Sequence, residues 1–199
     1  MNAGEFKWLL YILELEQISP DVYKWKPARQ IWAKMESQIA GSIFSRNGIT
    51  AKSVKFTIPM IDISLHNALE LKAPGSGHFF LTDINRETPG YFVLSTAEIA
   101  PVQCVIERTE TVKGDNNRPE VSQRGALSFP GYVTEKYIRQ TQQDPMSYSE
   151  MRYVLITPKI IDIQTGELIA IGGFKYEAVI PHTLEPHKNE YEILRRVDN

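Results

Sequence analysis

The chain has 199 residues and carries 22 Lys and Arg against 24 Asp and Glu, a net charge of -2 at pH 7. This balance disfavours a polyelectrolyte that coats nucleic acid, and the 42% hydrophobic content disfavours a disordered chain. The single cysteine excludes an internal disulfide and a metal site built from several thiolates. We therefore expect residues 1–199 to fold as a single domain without disulfides.

The first 50 residues favour a pair of helices. Residues 6–13 place apolar side chains at the i, i+3, i+4 and i+7 positions of an amphipathic helix. Ser19-Pro20-Asp21 then breaks the chain, and Pro27 suits the first turn of a second helix, where its missing N–H costs nothing. Asn47-Gly48 ends this helix, because glycine adopts the left-handed conformation of a helix C-terminus at little cost.

Residues 51–199 predict β-structure. Val54, Phe56 and Ile58 alternate with polar residues, as in a half-buried strand. The clearest hairpin joins 153–163 to 167–180 around Thr165-Gly166, and Gly172-Gly173 then indicates a bulge in the second arm.

Other segments of this β-rich part lack strand character. Long loops are expected over 66–77 and 113–125, a helical turn over 134–140 and a short C-terminal helix over 188–197. No internal repeat is evident. Regular amphipathic helices do not separate the strands, so the expected class is α+β: an N-terminal helical pair over 1–50, then a mostly antiparallel β-sheet or sandwich.

One segment resembles a known hairpin. Residues 153–170 contain the pattern D-x-x-T-G-E between two β-branched runs, starting at Asp162. This pattern is similar to a hairpin of bacterial envelope lipoproteins such as the curli-secretion lipoprotein. The resemblance covers less than a tenth of the chain, and the lipoprotein signal and acylated N-terminal cysteine are lacking here. It implies only a β-hairpin at this place.

Motifs of the common enzyme classes are absent from the sequence. There is no phosphate-binding glycine loop, no H-E-x-x-H, no paired C-x-x-C, no EF-hand loop and no G-x-S-x-G. These absences disfavour the common enzymes, and no cofactor is expected.

The histidines give one candidate metal site. His182, Glu185 and His187 could bind zinc or iron, with Glu190 beyond them. The alternative is a solvated polar connection, which the prolines within this segment favour. His66 and His78 flank the predicted 66–77 loop and are expected to be structural or surface side chains.

A second candidate is a nucleic-acid patch. Lys24, Trp25, Lys26 and Arg29 mix cations, which meet phosphates, with an aromatic ring that stacks on bases. The alternative is core packing of the aromatic side chains, including Trp32, beside solvated lysines.

Two further candidates favour structural roles. Cys104 is in phase with apolar strand neighbours, so we expect an inert, buried thiol rather than a nucleophile. Asp162 and Glu167 bracket the Thr165-Gly166 turn, where polar residues are needed for the turn itself.

The leading functional hypothesis is a non-enzymatic structural or adaptor subunit of a larger assembly, such as a viral or phage structural protein. Its partner would be another protein or a second copy of the chain. The alternatives are a binding module for a small ligand or nucleic acid, and a metal-dependent enzyme of an unrecognised family. Without a recognisable signal or membrane span, a cytoplasmic location is expected.

Overall fold

The computed structural model describes residues 3–37, 52–72, 77–113, 119–138 and 150–196. Regular structure in these ranges consists of one turn of 3-10 helix, Ala3–Glu5, and twelve strands, without an α-helix. The strands of the first half are β1 (Trp8–Ser19), β2 (Val22–Ser37), β3 (Lys52–Pro59), β4 (Ala68–Leu71), β5 (His78–Asn85) and β6 (Tyr91–Glu98). Those of the second half are β7 (Val102–Lys113), β8 (Pro119–Ile138), β9 (Glu150–Pro158), β10 (Leu168–Ile171), β11 (Phe174–His182) and β12 (Lys188–Arg196). The predicted α+β class is therefore wrong, because the described chain is all-β.

Each set of six strands closes on itself. In the N-terminal barrel (β1 to β6) the order is β4-β1-β2-β3-β6-β5, and β5 pairs with β4. The C-terminal barrel (β7 to β12) repeats this order as β10-β7-β8-β9-β12-β11, and β11 pairs with β10. The first four strands of each order form a Greek key. A parallel pairing of β2 with β8, at Val22 and Ser128, joins the two antiparallel barrels.

The two barrels are equivalent strand by strand, which corrects the expectation of no internal repeat. Leu10 pairs with Leu71 in the first barrel as Cys104 pairs with Ile171 in the second. Ile61-Asp62-Ile63 follows β3, and Ile161-Asp162-Ile163 follows β9. This repeated tripeptide is the sequence signal that marks the duplication.

Apolar side chains form three clusters. One fills the N-terminal barrel and includes Phe56 and Leu94, and a second fills the C-terminal barrel and includes Leu155. The third lies where the barrels meet and consists of outward-facing residues. Its buried members are Phe80, Ala97, Tyr132, Val154 and Ile156. Burial of both faces of these strands fixes the barrels against each other.

The predicted first helix is strand β1. Leu10 and Ile12 are buried, and a register shift after Ile12 leaves Leu13 buried as well. This irregularity removes the strict alternation of a strand and spaces the apolar residues as in a helix.

The predicted second helix is strand β2. Pro27 lies opposite Leu13 at the register shift, a place in a sheet that tolerates proline. Ile31, Ala33 and Met35 alternate along β2 and contribute to the N-terminal cluster. The predicted helix stop at 47–48 lies outside the described residues.

The predicted hairpin around Thr165-Gly166 is wrong. β9 ends at Pro158, and β10 pairs with β11 through the two-residue turn Gly172-Gly173. Both glycines have positive φ, 57° and 85°, as a type I′ hairpin turn requires. These glycines are therefore the turn of the hairpin and not a bulge inside one arm.

The remaining local predictions are also corrected. Residues 68–71 form β4 and residues 119–125 belong to β8, although both ranges were expected to be loops. Residues 73–76, 114–118 and 139–149 lie outside the described residues. The predicted helical turn over 134–140 continues β8 to Ile138, and the predicted C-terminal helix is β12. β12 lacks clear alternation because its first six residues are mostly buried on both faces.

No helix in the described ranges is long and apolar enough to cross a membrane.

Candidate functional site

A cleft of about 420 Å³ lies between the two barrels. One wall includes Trp25 from β2, Phe80 from β5 and the turn at 62–67. The opposite wall is formed by residues 158–160 and by His187. Each barrel thus contributes the segment that follows its third strand, so the duplication brings two equivalent segments to one place.

His187 is the most buried titratable side chain of this cleft. It is 8% exposed, and its Nδ1 atom has no hydrogen-bond partner among the described residues. Burial lowers the pKa of His187, and the positive charge of Lys188 lowers it further, against the opposing effect of Glu185. The imidazole is therefore neutral near pH 7, with one nitrogen able to donate and one able to accept a hydrogen bond.

An aromatic cluster supports the floor of the cleft. His78 and Tyr132 share a hydrogen bond of 2.8 Å that links β5 to β8. The ring of Phe80 packs edge-on against Tyr132 at 5.3 Å and lies 6.3 Å from the ring of His187. Burial lowers the pKa of His78 to about 4 and raises the pKa of Tyr132. Both groups are therefore neutral at physiological pH and act as packing and hydrogen-bonding groups.

Trp25 borders both the cleft and the contact between the barrels. The Trp25 side chain opposes the effect of burial on the pKa of the Tyr132 hydroxyl. Its indole Nε1 is a buried donor that has no hydrogen-bond partner among the described residues.

The three candidate metal ligands lie in different surroundings. His182 ends β11, with its Nε2 3.3 Å from Glu192 Oε1. Glu185 is exposed in the loop between β11 and β12, whereas His187 is buried beside the cleft. No group of three His, Cys, Asp or Glu side chains among the described residues is placed to hold a metal ion.

The four candidate nucleic-acid contacts all lie on β2, where alternate residues face opposite sides. Lys24, Lys26 and Arg29 are exposed, and Trp25 is partly buried. Lys26 Nζ lies 2.7 Å from Glu16 Oε2, and Lys24 is opposite Glu16 in the register of β1 and β2. Carboxylates on the neighbouring strand therefore offset part of this positive charge.

Cys104 is fully buried, which confirms its predicted burial. Burial raises the pKa of its thiol to about 12, so the nucleophilic thiolate is scarce at neutral pH. A side-chain carbon on the neighbouring Gly131 would lie 2.9 Å from Cys104 Sγ. Close packing around the thiol leaves no space for a reactant.

Asp162 and Glu167 lie in a turn that is braced by Arg108. Arg108 Nε donates to Glu167 Oε1 at 2.8 Å, and its guanidinium also donates to the Asp162 carbonyl oxygen at 2.7 Å. The Gln164 N–H donates to Glu167 Oε2 at 2.8 Å. These contacts give both residues a structural part in the turn.

The cleft brings together residues that the sequence treats separately. His66 and His187 are both in its lining, whereas His78 lies with Tyr132 in the supporting cluster. Tyr132, Phe80 and Lys159 were not singled out from the sequence, because only the contact of the two barrels places them here. The repeated Ile-Asp-Ile segments flank the cleft and are the one local signal that could have located it.

A second feature is a two-stranded extension of the C-terminal barrel, the β7–β8 ribbon (residues 107–113 and 119–127). β10 pairs with β7 only at residues 104–106, and β9 pairs with β8 only from Tyr132 onwards. Among the described residues, β8 pairs with β2 only at Ser128. Within the described residues, the two strands of the ribbon therefore pair only with each other.

No protein-family model, curated protein or solved structure matches this chain.

Proposed function

We propose that this chain is a non-enzymatic subunit of a protein assembly and acts through protein–protein contacts. The observation that supports this function is the β7–β8 ribbon, whose two outer edges pair with no further strand among the described residues. A two-stranded ribbon alone is at best marginally stable in water. Its outer N–H and C=O groups are suited to pair with a further strand.

The position of the ribbon strengthens this argument. Both barrels are closed, so their body strands have neighbours on both sides and offer few backbone groups to a partner. Strand addition at the ribbon can therefore extend the sheet without opening a barrel. Protein contact through backbone pairing also needs none of the catalytic motifs that the sequence lacks.

Self-association of the full chain tests the proposal. Sedimentation velocity from about 1 to 300 μM should give species heavier than the 22.7 kDa monomer, in a proportion that rises with concentration. Ala126→Lys should weaken this association, because lysine on an exposed edge opposes strand addition. Ala170→Lys is the matched control, since Ala170 is also exposed but lies on β10, between β7 and β11. A chain that stays monomeric over the whole range would overturn the self-assembling form.

Binding of a small ligand in the cleft between the barrels is a second candidate function. It is favoured by the buried His187 Nδ1, which has no partner in the part of the chain that the structure describes, and by the aromatic side chains of Trp25 and Phe80 in the lining. Native mass spectrometry of the purified chain should then reveal a discrete retained mass. Ile160→Arg, at an exposed position of the cleft lining, should remove it, whereas the exposed Met60→Arg at the equivalent position outside the lining should not. A spectrum without any adduct would count against this candidate.

A further inference from the structure

The contact between the two barrels is itself an example of how a ribbon of this protein docks. β1 and β2 also extend beyond their barrel, and the turn of this β1–β2 ribbon (residues 14–30) reaches the C-terminal barrel. There Val22 pairs in parallel with Ser128 of β8, and the Ser128 N–H donates to the Asp21 carbonyl oxygen at 2.7 Å. Tyr23 then packs against the C-terminal core. The ribbon of the N-terminal barrel thus docks beside β8, the second strand of the C-terminal barrel.

The equivalent site on the N-terminal barrel is open. By the shared register, Gln30 opposite Tyr11 corresponds to Ser128 opposite Val105. Two residues further, Trp32 corresponds to Pro130. Pro130 is buried, whereas Gln30 is exposed and Trp32 is 56% exposed.

The strand edge at this site is also open. β2 pairs with β3 only at residues 34–37, so the second side of β2 beside Gln30 carries no strand among the described residues. The Gln30 N–H points to that side, because it corresponds to the Ser128 N–H that leaves β8 for Asp21. An open backbone edge beside an exposed tryptophan is a surface suited to a docking strand.

We propose that copies of this chain join head to tail, with the β7–β8 ribbon of one copy docking beside β2 of the next at Gln30 and Trp32. The donor, the β7–β8 ribbon, is the counterpart of the β1–β2 ribbon that docks inside the chain. The acceptor, β2 at Gln30, is the counterpart of β8 at Ser128. Such a contact is heterologous, so it produces a ring or a filament rather than a closed dimer. The inference rests on the proposed function and adds the surface and the symmetry of the assembly.

Two substitutions on the acceptor surface test the proposal. Trp32→Ser removes the exposed ring, and Gln30→Pro removes the outward N–H without breaking a bond to β1. Each should raise the dissociation constant for self-association of the full chain about tenfold or more, measured by sedimentation velocity. Leu184→Ser is the control, because Leu184 is 99% exposed and lies in the other barrel, between β11 and β12.

Disulfide trapping tests the head-to-tail geometry. Pro119 begins β8 opposite Lys113 as Val22 begins β2 opposite Ser19, so the docked contact should place Pro119 beside Gln30 of the next copy. A chain with both Gln30→Cys and Pro119→Cys should form a ladder of linked multimers under mild oxidation. An equimolar mixture of the two single variants should stop at dimers. The native Cys104 is buried and does not compete.

The outcomes distinguish a failure of the head-to-tail geometry from a failure of the proposed assembly function. A ladder, together with weaker association of the Trp32 and Gln30 variants, supports head-to-tail joining. Linked dimers from Gln30→Cys alone, or unchanged association of both acceptor variants, overturn it while the assembly function stands. A wild-type chain that never associates overturns both.

Discussion

The two barrels share one topology but fill it differently. In the N-terminal barrel Ile58 pairs with Phe92, whereas the equivalent pair in the C-terminal barrel is Thr157 with Asn189. Asn189 Nδ2 donates to the carbonyl oxygens of Lys159 and Ile161 at 3.1 and 2.9 Å. The Asn189 side chain therefore holds the segment after β9 in place, whereas Phe92 at the equivalent position packs in the apolar cluster of the N-terminal barrel.

The second strand shows the same principle. Ala33 of the N-terminal barrel is replaced by Gly131 in the C-terminal barrel, where Leu155 Cδ1 occupies the space of a side-chain carbon. The two barrels thus share strand register and closure, but different side chains fill their interiors. A smaller residue at one position is compensated by a neighbouring side chain that fills its space. The difference suggests that the topology depends on the strand register more than on any one packing arrangement.

The largest expected effect on the free energy of unfolding comes from truncating a large buried side chain at equivalent positions of the two cores. Phe56→Ala should lower the free energy of unfolding by about 3–5 kcal/mol, and Leu155→Ala by about 2–5 kcal/mol, because both side chains are fully buried. Urea unfolding followed by circular dichroism measures both. A single shared transition is expected, since a third apolar cluster joins the barrels. Two separate transitions, each moved by only one variant, would mean that the barrels unfold independently.

The contact between the barrels should make stability depend on pH. The folded state keeps His78 neutral because burial lowers its pKa to about 4, whereas the unfolded chain takes up a proton below about 6.5. The unfolded state binds more protons between these values, so stability is greatest above pH 6.5 and is lost as the pH falls towards 4, by about 3 kcal/mol. His187, with its lowered pKa, adds a change of the same sign.

A neutral replacement isolates the part that His78 contributes. His78→Gln should flatten the stability profile between pH 4 and 7, measured by urea unfolding at each pH. The exposed His66→Gln is the matched control. An unchanged slope in the His78 variant would show that this buried contact between the barrels is not the source of the pH dependence.

Gly131 allows a sharper test of the exchanged packing. Gly131→Ala should cost about 1–3 kcal/mol, because the added carbon would lie 2.7 Å from Leu155 Cδ1 and 2.9 Å from Cys104 Sγ. Gly4→Ala, at a position with open space around it, should leave the urea midpoint unchanged. In the Leu155→Ala background the Gly131→Ala cost should shrink, because the two positions share one space. Additive costs would contradict this compensation.

The sequence predicted the β-rich second part of the chain but not the all-β fold. At β1 the register shift after Ile12 imitated the spacing of a helix, and at β12 burial on both faces removed the alternation that reveals a strand. The sequence predicts a hairpin around Thr165-Gly166, whereas the structure forms one around Gly172-Gly173. A turn that contains glycine does not by itself show which two strands pair beside it.

The candidate site was still harder to predict. His187 and Trp25 were both singled out, but as parts of two unrelated sites. Their common place depends on β2 crossing to the other barrel and on the contact of Phe80 with Tyr132, which are far apart in sequence. Local patterns carry no information on such contacts, whereas the repeated Ile-Asp-Ile segments could have indicated the duplication.

The smallest expected effects concern the turns that follow these repeated segments. Asn67 Oδ1 accepts from the Ser64 N–H at 2.9 Å, and Glu167 Oε2 accepts from the Gln164 N–H at 2.8 Å. Asn67→Ala and Glu167→Ala should therefore each cost about 0.5–1.5 kcal/mol. Glu167 also pairs with Arg108, a partly exposed contact that adds little. Glu167→Asn should recover most of the loss in urea unfolding, because it restores the acceptor that Asn67 supplies in the first barrel. If Glu167→Asn is as unstable as Glu167→Ala, the ion pair with Arg108 is what stabilises this turn. The two turns would then share a shape but depend on different interactions.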